Sequence, residues 1–390
     1  MEYLEKHRLV NPTAILAALV LSAIGAMFYN MLPLYLGIAQ DHRQLDITQT
    51  GFISGAFFLG YNLVTISAFF WIRKVSWRRV FLVTAPLGTA ALYLGVLAES
   101  YASLLVSTAI AGGAFAAIYG IGTTAVGDTP NPSRWYGVKI ATEAALGVVL
   151  FLVLPGTLIA WRGFEGLVIG MIVAVALLAP LALGLPHGTG TADEEVLSHE
   201  SSTMSHGRHL AIWMALAGTL LFFSGQTTVW AFVERLGSAG GFDPNSVGVL
   251  LSVSLVFAVS GSLFCAGLGY RWGNVLPFGI ACSIFLAALL LLANSADFSF
   301  YAAGACVVTF SVGMGLPFAI ARVAELDLEG RYVVLSVPAV GIGAMLGPSI
   351  AGALASAESL TPILVFSAVV MLGAIILICL LSTRLAGDAD

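Results

Sequence analysis

The sequence predicts an all-α membrane protein of twelve transmembrane helices, arranged as two repeated six-helix bundles with both termini in the cytoplasm. Three observations predict it. Of 390 residues, 59% are hydrophobic and 9% charged, with a mean hydropathy of +0.96, whereas a soluble domain carries about a quarter charged residues to coat its surface. Apolar runs of roughly 20 residues, the length at which a helix crosses a bilayer with its backbone internally bonded, recur along the chain. Landmarks of the first half return in the second at a nearly constant spacing. This composition excludes water-soluble enzymes and disordered scaffolds. A net charge of −5 without a basic tract excludes a nucleic-acid partner.

The spans fall at 12–37, 48–72, 79–98, 103–127, 135–160 and 164–185, then at 209–233, 246–270, 274–294, 299–321, 332–356 and 361–383. Lys6 and Arg8 before the first run mimic a signal peptide, but that run is too long for a signal's apolar region and eleven more follow, so it reads as an uncleaved helix. Asp46 or Thr48 caps the second helix and Asp243 or Asn245 the eighth. Between the sixth and seventh spans, 186–208 holds Gly188, Gly190, Asp193, Glu194, Glu195 and Glu200, and reads as a cytoplasmic linker. It separates an N-terminal bundle, 1–185, from a C-terminal bundle, 209–390. His187, His199, His206 and His209 lie in or beside the linker at spacings that fit no metal-ligand pattern. Cys265, Cys282, Cys306 and Cys379 sit in apolar runs without CxxC spacing, as small core residues. No metal or other cofactor is expected.

Orientation follows from the basic residues. With a cytoplasmic N-terminus, the inside segments hold Lys6, Arg8, Arg73, Lys74, Arg78, Arg79, Arg134, Arg208, Arg271, Arg322, Arg331 and Arg384, and the outside loops only Arg43, Arg162 and Arg235. Twelve against three is the bias that cytoplasmic loops carry.

The repeat rests on four landmarks in order. Leu45-Asp46 with Gly51 matches Phe242-Asp243 with Gly248, Arg73 matches Arg271, Leu97-Ala98-Glu99-Ser100 matches Leu292-Ala293-Asn294-Ser295, and Arg134 matches Arg331, at offsets of 197, 198, 195 and 197. Two like-oriented bundles related by an axis along the membrane normal would place a cavity between them.

Twelve helices in two sixes with an acidic central loop resemble the major facilitator superfamily of secondary transporters, over essentially the whole chain. The loop Arg73-Lys74-Val75-Ser76-Trp77-Arg78-Arg79 is similar to that family's signature between helices 2 and 3. Trp161-Arg162-Gly163 resembles its turn between helices 5 and 6, and Gly343-Ala344-Met345-Leu346-Gly347-Pro348 its small-residue motif in helix 11. Ile72 stands where the family's loop carries Asp and Ser76 where it carries Gly, while Tyr270 precedes Arg271 in the second copy. The resemblance therefore does not bring the family's acid-mediated latch to either half. Helix 5 lacks the full Gly-rich antiporter motif, since after Gly147 the next markers are Pro155-Gly156.

Ionisable groups inside a span are costly and mark function. Lys139 and Glu143 stand i, i+4 on one face of helix 5. Lys139, about one turn from the cytoplasmic end, either snorkels to the interface or pairs with Glu143. Glu143, about 12 Å deep at 1.5 Å per residue, is read as cavity-facing, either as a proton-coupling group or as half of a charge pair. Uncharged candidates for a substrate site are Tyr29 and Asn30 on helix 1, Tyr61 and Asn62 on helix 2, Tyr119 (with Thr123) on helix 4, and Gln226, Thr227 and Trp230 on helix 7. Offset 197 maps Tyr29-Asn30 onto Gln226-Thr227. The competing reading is interhelical hydrogen bonding. Asp128, Arg134, Arg322, Glu325, Asp327 and Arg331 crowd the cytoplasmic helix ends, as an inside gate or as ordinary interfacial charge. Arg43, Asp46, Glu234 and Arg235 are the outside counterpart. The abundant glycines, 43 in all, suit close helix packing, and Pro155, Pro317, Pro338 and Pro348 are candidate kinks.

The expected function is secondary active transport of a small organic solute by alternating access, coupled to protons if Glu143 titrates. Uptake or symport is favoured over the alternative, efflux antiport of a drug or metabolite. No GxxxxGK[ST] loop serves an ATPase, and a membrane-embedded lipid-modifying enzyme would need Asp-rich metal motifs or a His-Glu cluster that the sequence does not offer. A lone intramembrane cation argues against a highly anionic substrate such as a phosphate ester. The expected partners are the solute, protons and the lipid bilayer. The chain is expected as a monomer spanning the inner or plasma membrane.

Overall fold

A computed structural model describes residues 11–129, 132–185, 206–268, 271–327, 332, 335–356 and 359–381. The elements are α1 (Pro12–Arg43), α2 (Ile47–Trp71), α3 (Trp77–Leu97), α4 (Tyr101–Gly127), α5 (Pro132–Val153), a π turn (Pro155–Ile159) and α6 (Ala160–Ala182). They continue with α7 (His206–Ala239), α8 (Pro244–Leu268), α9 (Val275–Leu292), α10 (Phe298–Leu326), α11 (Ser336–Leu354) and α12 (Thr361–Ile375), which runs into a second π turn (Ile376–Leu381). Among the described residues, eleven helical runs are long and apolar enough to cross a membrane. One of them, Val138–Ala182, is 45 residues long and joins α5 from Val138 onward to α6. The expected linker falls at 186–205 outside the described residues, together with His187 and His199, and α7 starts at its far end.

Local chemistry sets the helix ends. Asn11 Oδ1 accepts from Thr13 N at 3.0 Å, and Pro12 needs no partner for the N–H it lacks. Asp46, not Thr48, caps α2: its Oδ1 accepts from Gln49 N at 2.7 Å while Gln49 Oε1 accepts from Asp46 N at 3.1 Å. Asp243 does the same for α8 through Ser246 N at 3.1 Å. Inside α6 the backbone breaks at Gly163, with φ 56° and ψ −126°, a conformation that glycine adopts readily. The Trp161-Arg162-Gly163 turn thus interrupts the long run near the start of α6.

The chain divides into two compact units, Met1–Gln44 with Ala56–Ala192, and Leu45–Gly55 with Asp193–Asp390. In the first, α1 is the central helix, buried almost throughout, and packs on α4, α5 and α6. Phe28 stacks on Phe57 of α2 at 3.8 Å, and Tyr35 meets Phe164 of α6 edge-on at 5.2 Å. Arg43, at the end of α1, donates to the carbonyls of Gly95, Val96 and Ala98. It thereby closes the carbonyl end of α3, a role inside its own unit. The central helix of the second unit is α7, packed on α10, α11 and α12. Tyr301 Oη donates to Val233 O at 2.9 Å, and Phe222 lies 5.3 Å from Phe278 of α9. The opening turns of α2 belong to this unit, where Thr48 Oγ1 donates to Gly352 O of α11 at 3.1 Å. Each unit turns large apolar side chains outward, including Leu63, Phe70 and Leu177 in the first and Leu290 and Val369 in the second, as a lipid-facing wall requires.

The same glycine seam holds α2 to α4 and α8 to α10. A Cβ at Gly60 would overlap Ala109 O, and one at Gly112 would overlap Phe57 O; in the second unit Gly261 and Gly313 stand likewise against Phe310 O and Ala258 O. We expect Gly60→Val and Gly112→Val each to cost at least about 1–3 kcal/mol by overpacking, read as a lower melting temperature of the purified protein. Gly267→Ala, with open space around it, should melt like the parent.

Candidate substrate and coupling site

The first unit gathers its polar residues around one buried ion pair. Lys139 Nζ lies 2.6 Å from Glu143 Oε1, with side-chain exposures of 5% and 14%. The ammonium also donates to Tyr119 Oη at 2.9 Å and sits 4.2 Å from the centre of the Tyr119 ring. Lys139 therefore does not snorkel: the carboxylate one turn along its own helix and the phenol of α4 hold it inside. Tyr61 of α2 lies 6.2 Å from Tyr119, ring to ring, with Phe58 and Phe57 behind it at 5.9 and 6.3 Å. Tyr29 of α1 meets Phe58 edge-on at 6.2 Å. Tyr29, Tyr61, Tyr119 and Glu143 are half-buried, so they form the open side of the cluster with Lys139 behind them. Asn30, buried, donates from Nδ2 to the backbone carbonyl of Glu143 at 2.9 Å. It thus ties α1 to α5 at the residue that carries the acid. Asn62 is buried with neither amide atom hydrogen-bonded, a cost of about 1–3 kcal/mol per group.

Among the described residues the second unit has no Lys–Glu pair at the equivalent place; its ion pairs include Arg235–Glu234 at 3.5 Å, with side-chain exposures of 14% and 13%, and Arg322–Glu325 at 2.9 Å. Gln226 Nε2 donates to Ser311 Oγ of α10 at 2.8 Å, and that hydroxyl donates to Val308 O at 2.6 Å. Thr227 is buried with its hydroxyl unpaired, and Trp230 is buried. Asn30 and Gln226 thus both serve as interhelical donors, and the Tyr29-Asn30 and Gln226-Thr227 pairs are equivalent in depth but not in chemistry. At offset 197, Tyr119, Lys139 and Glu143 fall on Leu316, Ser336 and Val340, and α11 carries no ionisable side chain along its length. There, Gly343 and Gly347 bring α11 against Leu220 O and Ser224 O of α7 instead.

Several charged residues at the helix ends have partners within their own units. Arg73 holds Asp128 bidentately at 2.6 and 2.8 Å, fastening the loop after α2 to the end of α4. The acid at offset 197 from Asp128 is Glu325, and it accepts from Asn274 in the loop after α8 at 3.2 Å and from Arg322 at 2.9 Å. Asp327 Oδ2 accepts from Tyr332 N at 2.6 Å. The side chain of Arg134 and the whole of Arg331 lie outside the described residues. Sequence reasoning placed Asp128 and Glu325 in a gate but missed their partners Arg73 and Asn274. The signal was present in the shared offset of the two acids.

Such a fold, with long apolar helices, internal repetition and one charged cluster inside the membrane-spanning part, defines a multi-pass membrane protein of the transporter type. Residues 14–328 match the family model of the Major Facilitator Superfamily, and the chain belongs to that family. It is similar to a crystal structure of a point mutant of the nucleoside transporter NupG, at 14% identity and a TM-score of 0.72, covering 97% of this chain and 100% of that one. It is also similar to a bacterial homolog of the human lysosomal transporter Spinster in an inward-facing, occupied conformation, at 16% identity and a TM-score of 0.64, covering 97% and 96%. At these identities the likeness is one of fold. No protein of curated function matches the chain.

Removing one partner of a buried pair strands the other charge, at about 3–5 kcal/mol, whereas replacing both by apolar groups is close to neutral. Lys139→Met should therefore lower the thermal unfolding midpoint sharply, and the Lys139→Met/Glu143→Met double variant should recover most of it. A single variant that melts with the parent would show that the pair does not hold the unit together.

Proposed function

We propose that the protein is a secondary active transporter that carries a small organic solute across the membrane by alternating access, with Glu143 as its proton-carrying group. The observation that carries this reading is the unequal chemistry of two halves of one repeated fold. In the second unit α11 packs on α7 and carries no charged residue of its own, so an ion pair is not what the architecture needs at α5. A buried Lys and Glu that the fold does not require are retained for what they do. Protonation of Glu143, the more exposed member, cancels its charge and releases Lys139, which changes the electrostatics of the half-buried tyrosine wall beside it.

In this reading Tyr29, Tyr61 and Tyr119 supply the aromatic surface that meets the solute, and the unpaired carboxamide of Asn62 supplies hydrogen bonds. In the second unit Gln226, Thr227 and Trp230 are the corresponding candidates. The Arg73–Asp128 and Asn274–Glu325 ties fasten loops to helix ends, so that each unit moves as a body; Arg134, Arg322, Asp327 and Arg331 complete the cytoplasmic charge cluster. The 45-residue run would be about 67 Å long as one helix at 1.5 Å per residue, twice the hydrocarbon thickness. With its break at Gly163 we read it as two crossings. That reading gives twelve spans, both termini in the cytoplasm, bundles 1–185 and 209–390 joined by 186–208, and a chain that works as a monomer in the lipid bilayer.

Two experiments test these readings. In a cysteine-free background, Trp161→Cys should react with a membrane-impermeant thiol reagent on intact cells, and Lys74→Cys only after permeabilisation; labelling of both from one side would refute the topology. In proteoliposomes loaded with a solute found by ligand-stabilisation screening, Glu143→Gln should abolish transport driven by a pH gradient and leave counterflow exchange measurable. Unchanged pH-driven transport in that variant would remove Glu143 from the coupling role.

A further inference from the structure

Resting on the proton-coupled reading of Glu143, we infer that the solute is an organic monoanion, a carboxylate with an apolar or aromatic body, and that it binds together with one proton. The argument is one of charge balance at a site withdrawn from water. Lys139 and Glu143 sum to zero, and among the described residues the polar partners of Lys139 are Glu143 and Tyr119. The titratable groups facing the carboxylate are Lys139 on its own helix, Tyr119 from α4 and Tyr61 from α2, while α1 contributes the neutral Asn30.

A net charge left in such surroundings is penalised by several kcal/mol. A proton alone on Glu143 leaves Lys139 uncompensated, at net +1. A carboxylate alone leaves net −1. Proton and carboxylate together restore zero: the proton goes onto Glu143, its bond to Lys139 as an ion pair is lost, and the ammonium takes the incoming carboxylate in its place. A cation has no balanced state here, because Lys139 already neutralises Glu143, and exchange of a cation for a proton alternates between two states of net +1. The rest of the open side is aromatic, with Tyr29 and Tyr61 packed on the buried Phe58 at ring separations of 6.2 and 5.9 Å, which suits an apolar body.

The test uses the purified full-length protein in weakly buffered detergent solution, with hexanoate and benzoate, their amides, and hexylamine and benzylamine as probes. Calorimetric binding and proton uptake are read together. The expected result is that a carboxylate binds with uptake of close to one proton per molecule, while its amide and amine bind at least about tenfold more weakly, the margin of one charge-assisted hydrogen bond. Glu143→Gln should bind the carboxylate without proton uptake, and Lys139→Gln should lose at least about tenfold in affinity, with Lys139→Arg retaining more of it. Binding of amides or amines in preference, with proton movement still dependent on Glu143, would overturn the monoanion and leave the coupled transporter standing. Carboxylate binding without proton uptake in the parent protein would overturn the coupling itself, and the inference with it. Failure of every carboxylate to bind at 10 mM-scale concentrations, on the order of the weakest useful affinities, also overturns it.

Discussion

A bilayer interior offers no water, so each polar group placed in it must find its partner within the chain. Most features of this molecule answer to that constraint. The backbone is helical wherever it is long and apolar, and the helix ends are closed by Asp46, Ser100, Asp243 and Asp297 acting as caps. Hydroxyls inside the helices turn back onto carbonyls of their own helix, as Thr108, Thr219, Thr228 and Ser254 do. Without a hydrophobic drive to bring helices together in lipid, close approach has to come from shape. Gly60, Gly112, Gly261 and Gly313 provide it by letting one backbone lie against the carbonyls of the next.

Charge is constrained the same way, and this gives the two units their different characters. Where charges reach the helix ends they are used twice in the same manner: an acid at the end of α4 or α10 gathers the loop that follows α2 or α8. Among the described residues, the ion pair set back from the helix ends is in the first unit, kept neutral overall as Lys139 with Glu143, while the second unit's enclosed charges, Arg322, Asp327 and the Glu234–Arg235 pair, lie in the last turns of α7 and α10 or just beyond. The fold is shared by the halves and the chemistry is not. A repeated architecture thus acts as its own control, separating what packing requires from what is carried in addition.

Much of this was legible before any coordinates. Periodic apolar runs of membrane-crossing length leave little choice of architecture, and each expected span overlaps a described helix, the ends differing by several residues after α5, expected at 160 and found at Val153, and after α1 and α7, expected at 37 and 233 and found at Arg43 and Ala239. The caps are narrowed by sequence to Asp46 or Thr48 and to Asp243 or Asn245, because short polar side chains before an apolar run serve that use. The i, i+4 spacing of Lys139 and Glu143 allows a pair, with a snorkelling Lys139 as the alternative. What stayed hidden depends on three-dimensional neighbours. Nothing local tells Arg73 that Asp128 lies 55 positions on, or Arg43 that the end of α3 lacks acceptors' partners near it. Asn30 and Gln226 are substrate candidates by residue type, and their acceptors, Glu143 O and Ser311 Oγ, show interhelical bonding that the sequence could offer only as an alternative.

In the coupled reading proposed above, the geometry of the pair also bears on how coupling would be enforced. Glu143 is the more exposed member and Lys139 the more enclosed, so in that reading the acid takes its proton before an anion meets a free cation. If protonation strengthens anion binding by some factor, linkage requires the anion to strengthen proton binding by the same factor. Neither ligand then needs a separate device to wait for the other, because each half-loaded state is the one carrying an uncompensated charge out of water. Strict stoichiometry in such a site follows from electrostatics alone, and Asn30 contributes by holding the backbone of Glu143 against α1. The carboxylate and the ammonium can then exchange partners while the helices that present them stay in place.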